Sequence, residues 1–209
     1  MSHYFQDDPN LASDIKEIGF EIHGFKMKLF TDKGVFSKNY VDEGSLALLK
    51  VILPLDLGRH VLDLGCGYGA IGLTLATANP EMKVTLSDIN PRAVTLCQKN
   101  ADRLNLNHQV TILQSDLYQK IEGPFDSIVV NPPIRAGKAI TYRMYEEAKH
   151  YLIDGGSLYV VIRKAQGAAS ASKYIESIFG NVTLLKRDKG YYIYRATKSE
   201  NTEKEPLYD

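Results

Sequence analysis

The sequence predicts an α/β protein: a doubly wound, mostly parallel sheet of seven strands ending in an antiparallel hairpin, with a small β-hairpin extension in front. Three observations predict it. From residue 59 onward, short β-branched runs alternate with longer helix-period segments, the signature of βαβ units. A glycine-rich turn, Gly65-Cys66-Gly67-Tyr68-Gly69, joins the first of these strands to the helix that follows. The last two strands are separated only by Asp188-Lys189-Gly190, too short for a crossover, so they must pair antiparallel.

In chain order, residues 20–24 and 26–31 alternate around Gly24 and predict the leading hairpin, and 42–51 predicts a capped helix running into the core. Strands are expected over 60–64, 83–87, 110–114, 127–131, 157–162, 182–187 and 191–196, with helices over 70–78, 91–104, 140–152 and 168–178. Pro91 suits a first helical turn, with Asn90 as its cap. Residues 1–18 and 199–209 read as loosely docked ends, the second from its charge and Pro206. The expected organisation is an extension over 1–41, a catalytic domain over 42–198 and an acidic tail over 199–209.

Composition narrows the class. At about 150 residues per domain, the 209 residues correspond to roughly 1.4 domains, one large unit with an appendage. Hydrophobic residues at 44% and charged residues at 24% exclude disorder and fibrous repeats. No apolar run approaches the ~18 residues that span a bilayer, and the N-terminus lacks signal-peptide regions, so a cytoplasmic protein without a membrane partner is expected. The two cysteines, Cys66 and Cys97, read as reduced core thiols, and the five histidines show no ligand spacing, so no metal is expected. Lys+Arg and Asp+Glu balance at 25 each, but residues 131–198 hold 12 Lys/Arg against five Asp/Glu, a region suited to phosphate.

The glycine turn lets backbone amides approach a ligand that a Cβ would exclude, a nucleotide-type, Rossmann-like site. Gly67-Tyr-Gly69-Ala-Ile-Gly72 also satisfies the dinucleotide pattern, so the turn alone does not choose between cofactors. Asp88 lies 23 positions after Gly65 at a strand end, where a carboxylate can accept both ribose hydroxyls; the plainer reading is a cap for the helix starting at Pro91. Asp63, inside an apolar strand, must bond to loop amides or a cationic ligand group. Asp116 in Ser115-Asp116-Leu117 is placed to accept from an adenine amino group. Cys66, Ile89 and Leu117 occupy the same three loops and complete the expected cofactor lining.

Asn131-Pro132-Pro133-Ile134 ends the 127–131 strand at the sheet edge where ligand chemistry belongs. An exocyclic or amide nitrogen is a poor nucleophile while its lone pair is delocalised. Two acceptors, the Asn131 side-chain oxygen and the Pro132 carbonyl, can hold its N–H groups and aim the lone pair. Positioning of this kind is worth about 7–11 kcal/mol in favourable cases. Pyrimidine C5 chemistry needs a thiolate nucleophile, and this loop has no cysteine. Arg135 and Lys138 flank the loop as candidate phosphate contacts.

These residues resemble the class I S-adenosylmethionine-dependent methyltransferases, through Asp63-Leu-Gly-Cys-Gly-Tyr-Gly69, Asp88, Ser115-Asp116-Leu117 and the terminal hairpin. Within that class the sequence is similar to the methyltransferase small domain family. Gly34-Val-Phe-Ser37 with Asp42-Glu-Gly44, Asn131-Pro-Pro-Ile-Arg-Ala-Gly-Lys138 and Arg163-Lys-Ala-Gln-Gly167 carry that likeness. The resemblance implies S-adenosyl-L-methionine as cofactor, methyl transfer to the exocyclic amine of guanine in ribosomal RNA, and an RNA partner. It also implies that the stretch around Phe36 and Asp42 borders the pocket. Ile134 departs from the aromatic that many amino-methylating enzymes carry there, so base stacking is expected from Phe36. A single-domain relative is expected to draw further RNA-binding surface from its hairpin, its tail or a homodimer. The alternatives are a protein glutamine amide as acceptor, a dinucleotide oxidoreductase, and a non-catalytic cofactor-binding subunit.

Overall fold

The computed structural model describes residues 14–32 and 40–200. β1 (Lys16–Ile22) and β2 (Phe25–Thr31) form an antiparallel hairpin in continuous register from Lys16↔Thr31 to Ile22↔Phe25. Its turn, His23-Gly24, holds both residues at positive φ, 47° and 83°, which matches the twist of paired strands. Lys16–Ile18 therefore belong to a strand rather than to a loose end, because Ile18 is buried with Ile22, Met27 and Leu29 in the core. The N-terminal residues before position 14 and the tail beyond 200 lie outside the described residues.

α1 (Glu43–Ile52) starts at Asp42, whose side chain accepts the Ser45 N–H at 2.9 Å. A cap of this kind contributes about 1 kcal/mol. The remaining elements are β3 (His60–Leu64), α2 (Ala70–Ala78), β4 (Lys83–Asp88), α3 (Pro91–Arg103), β5 (Val110–Gln114), β6 (Phe125–Val130), α4 (Lys138–Tyr151), β7 (Leu152–Arg163), α5 (Ala168–Phe179), β8 (Thr183–Asp188) and β9 (Tyr191–Thr197). The seven-stranded sheet has the order β5-β4-β3-β6-β7-β9-β8, and β9 alone runs against the others.

Consecutive strand residues point to opposite faces, and here both faces are covered, which explains the unbroken apolar runs. Val61, Val129 and Val161 join the core under α1, α2, α3 and the hairpin. Leu62, Ile128, Val130, Val160 and Ile162 join the core under α4 and α5. Each fully buried leucine contributes about 1.5–3 kcal/mol relative to exposure.

Several element bounds shift by one to a few residues from the sequence reading, and two of the shifts have a plain cause. β7 begins at Leu152, five residues before the expected start, because Phe125↔Leu152 already pairs and the Gly155-Gly156 segment is tied to Lys198 by backbone bonds of 2.9 Å in both directions. The glycines are an irregularity inside a long strand, with Gly155 at φ 78°. β6 stops at Val130 rather than Asn131, since a residue before proline leaves the ladder easily.

The topology sets the site. Strand order runs outward from β3 through β4 to β5 and then restarts on the other side of β3 with β6, which puts the switch point between β3 and β6. Leu64 pairs with Val130 there, so the Gly65 turn and Asn131 leave the sheet side by side.

Candidate active site

The turn after β3 is shaped by the neighbouring strand. Gly65 and Cys66 both donate their N–H to the Ser87 carbonyl, at 2.8 and 2.9 Å. Gly67 and Gly69 sit at φ 56° and 94°, where an L side chain is strained. They differ in surroundings. A Cβ on Gly69 would lie 2.7 Å from Leu73 Cδ1 and 2.8 Å from Cys97 Sγ, whereas one on Gly67 would meet nothing within 4 Å. Gly69 is thus a packing requirement at the start of α2, while Gly67 faces open space.

Two buried carboxylates brace this turn. Asp63 Oδ2 accepts the Gly72 N–H at 2.7 Å, pinning the first turn of α2 to β3. Burial pushes its pKa up to about 7, against the lowering effect of that bond, and the nearby Asp88 charge adds to the rise. Asp88 accepts Gly67 N–H on Oδ2 and Asn90 N–H on Oδ1, both at 2.9 Å. The helix-cap role weighed for Asp88 falls to Asn90, whose side chain accepts Arg92 N–H at 2.9 Å. Ile89, half-buried, follows Asp88, and its carbonyl accepts Gln114 Nε2 at 3.0 Å.

On the next strand, Gln114 pairs with Asp88, which brings Asp116 to the same edge. Asp116 is exposed, and Leu117 beside it takes φ 49°. Ser115 Oγ donates to the Leu117 carbonyl at 2.9 Å and accepts Lys120 N–H at 3.1 Å, holding the loop.

Across the switch point, Asn131 is half-buried and Pro132 buried, with Pro133 and Ile134 half-buried behind them. Asn131 Nδ2 donates to Asp42 Oδ2 at 2.7 Å and to Ser45 Oγ at 3.0 Å. A carboxylate only accepts, so the amide nitrogen must face Asp42, and the side-chain oxygen is directed away from it. Sequence reasoning had Asp42 as a helix cap beside the pocket and passed over Ser45. At a separation of 89 positions, Asp42 and Asn131 carry no local signal of the contact.

Arg135 and Lys138 are exposed, one in the 3-10 turn Ile134–Ala136 and one opening α4. Phe36, with residues 34–37, lies outside the described residues. Cys66 and Cys97 are buried free thiols; the Cys97 thiol and burial push Cys66 well above the usual thiol range, which keeps it protonated and unreactive. Among the described residues no cluster of metal-ligating side chains occurs, and no helix is long and apolar enough to cross a membrane.

A parallel sheet opened at its switch point, with a braced glycine turn on one side and an Asn-Pro-Pro loop on the other, defines a chain of the methyltransferase fold class. The family model described as the methyltransferase small domain matches residues 26–195, and the chain belongs to that family. It is 38% identical over 198 residues to "Uncharacterized protein YbxB" of Bacillus subtilis, covering 94% of this chain and 98% of that one. It is 32% identical over 193 residues to ribosomal RNA small subunit methyltransferase C of Mannheimia succiniciproducens, covering 86% of this chain but only 56% of that protein. A similar solved structure is the T. thermophilus 16S rRNA N2 G1207 methyltransferase (RsmC) in complex with AdoMet and guanosine. Its TM-score is 0.79 at 30% identity, over 92% of this chain and 53% of that one. The chain thus spans about half the length of the methyltransferase C relatives it matches.

Proposed function

We propose that this chain transfers a methyl group from S-adenosylmethionine to the exocyclic amine of a nucleobase, N2 of guanine in small-subunit ribosomal RNA. The observation that carries the reading is the pairing of Leu64 with Val130, which makes the glycine turn and Asn131 neighbours at one opening of the sheet. A cofactor held over the turn then lies beside the acceptor loop. The names and ligands of the methyltransferase C relatives and of the T. thermophilus neighbour support the nucleobase and the RNA.

The residues present fit the cofactor. Gly67 leaves space where any side chain would intrude, and the carboxylate of Asp88, held at the end of β4 by the Gly67 and Asn90 amides, is placed to accept ribose hydroxyls. Asp63 supplies negative charge beneath the turn once a cationic ligand draws it into its ionised form, Asp116 an acceptor at the rim for an adenine amine, and Gly65, Cys66, Gly69, Ile89 and Leu117 the surrounding wall. When bound, S-adenosylmethionine supplies an electrophilic methyl on a sulfonium sulfur.

The chain's own task is to make a weak nucleophile attack. Asn131 Oδ1 and the Pro132 carbonyl accept the two N–H bonds of the target amine and turn its lone pair toward the methyl group. Pro132 and Pro133 stiffen the loop, so little freedom is lost when substrate arrives. No strong base is required, because the alkylated nitrogen is acidic and gives its proton to water. Ile134 packs against the core under α4 and contributes an apolar wall rather than an aromatic platform. Arg135 and Lys138 hold the phosphate backbone and so position the RNA without reading it.

The test incubates the protein with isotopically labelled S-adenosylmethionine and either unmodified small-subunit RNA or assembled subunits, followed by nucleoside mass analysis. Label in N2-methylguanosine is the expected result. Label in a protein glutamine amide, or in another nucleoside, would replace the acceptor named here.

A further inference from the structure

We infer that Asp42 and Ser45 are positioning residues that lock the Asn131 amide with its oxygen toward the substrate. The inference rests on the acceptor role proposed above for Asn131. Asp42 Oδ2 accepts three donors at once: Asn131 Nδ2 at 2.7 Å, Ser45 N–H at 2.9 Å and Ser45 Oγ–H at 3.4 Å. Ser45, itself 8% exposed, accepts Asn131 Nδ2 at 3.0 Å while its own proton turns to Asp42. The triangle is closed, and both N–H bonds of the Asn131 amide are engaged.

A free asparagine side chain can turn over, exchanging its oxygen and nitrogen. Here the exchange would set Oδ1 against a carboxylate oxygen, lone pair against lone pair, and the Ser45 hydroxyl could donate to it only by turning its proton away from Asp42. The amide therefore keeps one orientation before substrate arrives. The charge on Asp42 also draws electron density through the amide toward Oδ1, strengthening it as an acceptor as positive charge develops on the attacking nitrogen. An asparagine at position 42 would cap α1 equally well, so capping alone does not require a carboxylate there. What a carboxylate adds is negative charge and an acceptor on both oxygens, so that no turn of residue 42 can set a donor against the Asn131 amide.

The test separates this inference from the reading beneath it. Methyl transfer is measured for Asn131→Ala, Asp42→Asn, Ser45→Ala, Asn131→Asp and the exchanged pair Asp42→Asn/Asn131→Asp, with cofactor affinity by calorimetry and melting curves for each. Asp42→Asn is expected to lower kcat about 5- to 10-fold, the difference between a charge-assisted and a neutral hydrogen bond, with cofactor affinity and KM for RNA nearly unchanged. Ser45→Ala leaves the backbone cap in place, is expected to lower kcat in the same direction by about 3- to 10-fold, and carries the test should Asp42→Asn fail to fold. Asn131→Asp sets two carboxylates together and is expected to be less active than the exchanged pair, in which an amide at position 42 donates to a carboxylate at position 131. If Asn131→Ala is inactive but Asp42→Asn and Ser45→Ala keep full kcat, or if exchange restores nothing, the inference is overturned while the acceptor role stands. If Asn131→Ala turns over normally, the acceptor role fails first.

Discussion

The carboxylate of Asp63 accepts the backbone N–H of Gly72 at 2.7 Å across the whole glycine turn, from a position where only 1% of the residue is exposed. One hydrogen bond does not repay the loss of water around a carboxylate, and its pKa rises from 3.8 to about 7. Below pH 4 the folded and unfolded chains are both protonated at this residue, and it costs nothing. Between pH 4 and 7 the unfolded chain ionises first, so stability falls as pH rises, by an amount on the order of a few kcal/mol that persists above pH 7. Denaturation curves at pH 5 and pH 8 are expected to show this loss, and Asp63→Asn to remove most of it. A cationic ligand favours the ionised form, so S-adenosylmethionine affinity is expected to rise with pH through 7 in the native protein and to rise less in Asp63→Asn. Equal pH dependence in the two proteins would contradict the assignment of Asp63.

Gly67 and Gly69, both at positive φ, are expected to separate folding from binding. Gly69→Ala adds a methyl against Leu73 and Cys97 and is expected to destabilise the fold by about 2–4 kcal/mol. Gly67→Ala adds only backbone strain, about 1 kcal/mol, yet places its methyl where the cofactor is proposed to lie. Melting temperature should therefore fall mainly in Gly69→Ala, and cofactor affinity measured by calorimetry should fall at least about 10-fold in Gly67→Ala. A Gly67→Ala protein that binds normally would move the cofactor away from this turn.

How much of this was legible beforehand depended on whether the cause was local. The strand at His60–Leu64 and the helix at Ala70–Ala78 match their expected bounds because alternation, glycine and helix-period apolar residues act within a few positions. The early start of β7 was hidden because its glycines obey a pairing partner, Lys198, more than their own preference. Asn131 was visible through the prolines after it, but Asp42 and Ser45 were not visible as its partners, since sheet topology alone brings residues 42 and 131 together. Asn100 gives a third case: in the sequence it is an ordinary polar position in a helix.

Asn100 is fully buried, and its side chain accepts Phe30 N–H at 2.6 Å and donates to the carbonyls of Phe30 and Tyr68, each at 2.9 Å. It fastens the hairpin to the glycine turn through α3. Asn100→Ala is expected to cost about 2–4 kcal/mol, because backbone groups on both sides lose their partner. Hydrogen exchange should quicken at Phe30 and across β2 before it quickens in β3. Uniform exchange throughout the chain would show that the hairpin does not depend on this residue.

Arg135 and Lys138 follow the Asn131–Ile134 loop, both exposed. Replacing both with Ala is expected to weaken RNA binding and lower the slope of log affinity against log salt by about 1–2, since each phosphate contact on a single strand contributes about 0.7. Cofactor affinity and melting temperature should not change. Weaker binding with an unaltered salt slope would assign these residues to something other than phosphate contact.

The most direct measurement is a crystal structure with adenosylhomocysteine bound. The expected result has the sulfur over the Gly65–Gly69 turn, facing the Asn131 side-chain oxygen and the Pro132 carbonyl, with room between them for one amine. A sulfur that points to the other side of the sheet, or a protein side chain filling the space before those two oxygens, would contradict methyl transfer to an amine at this site.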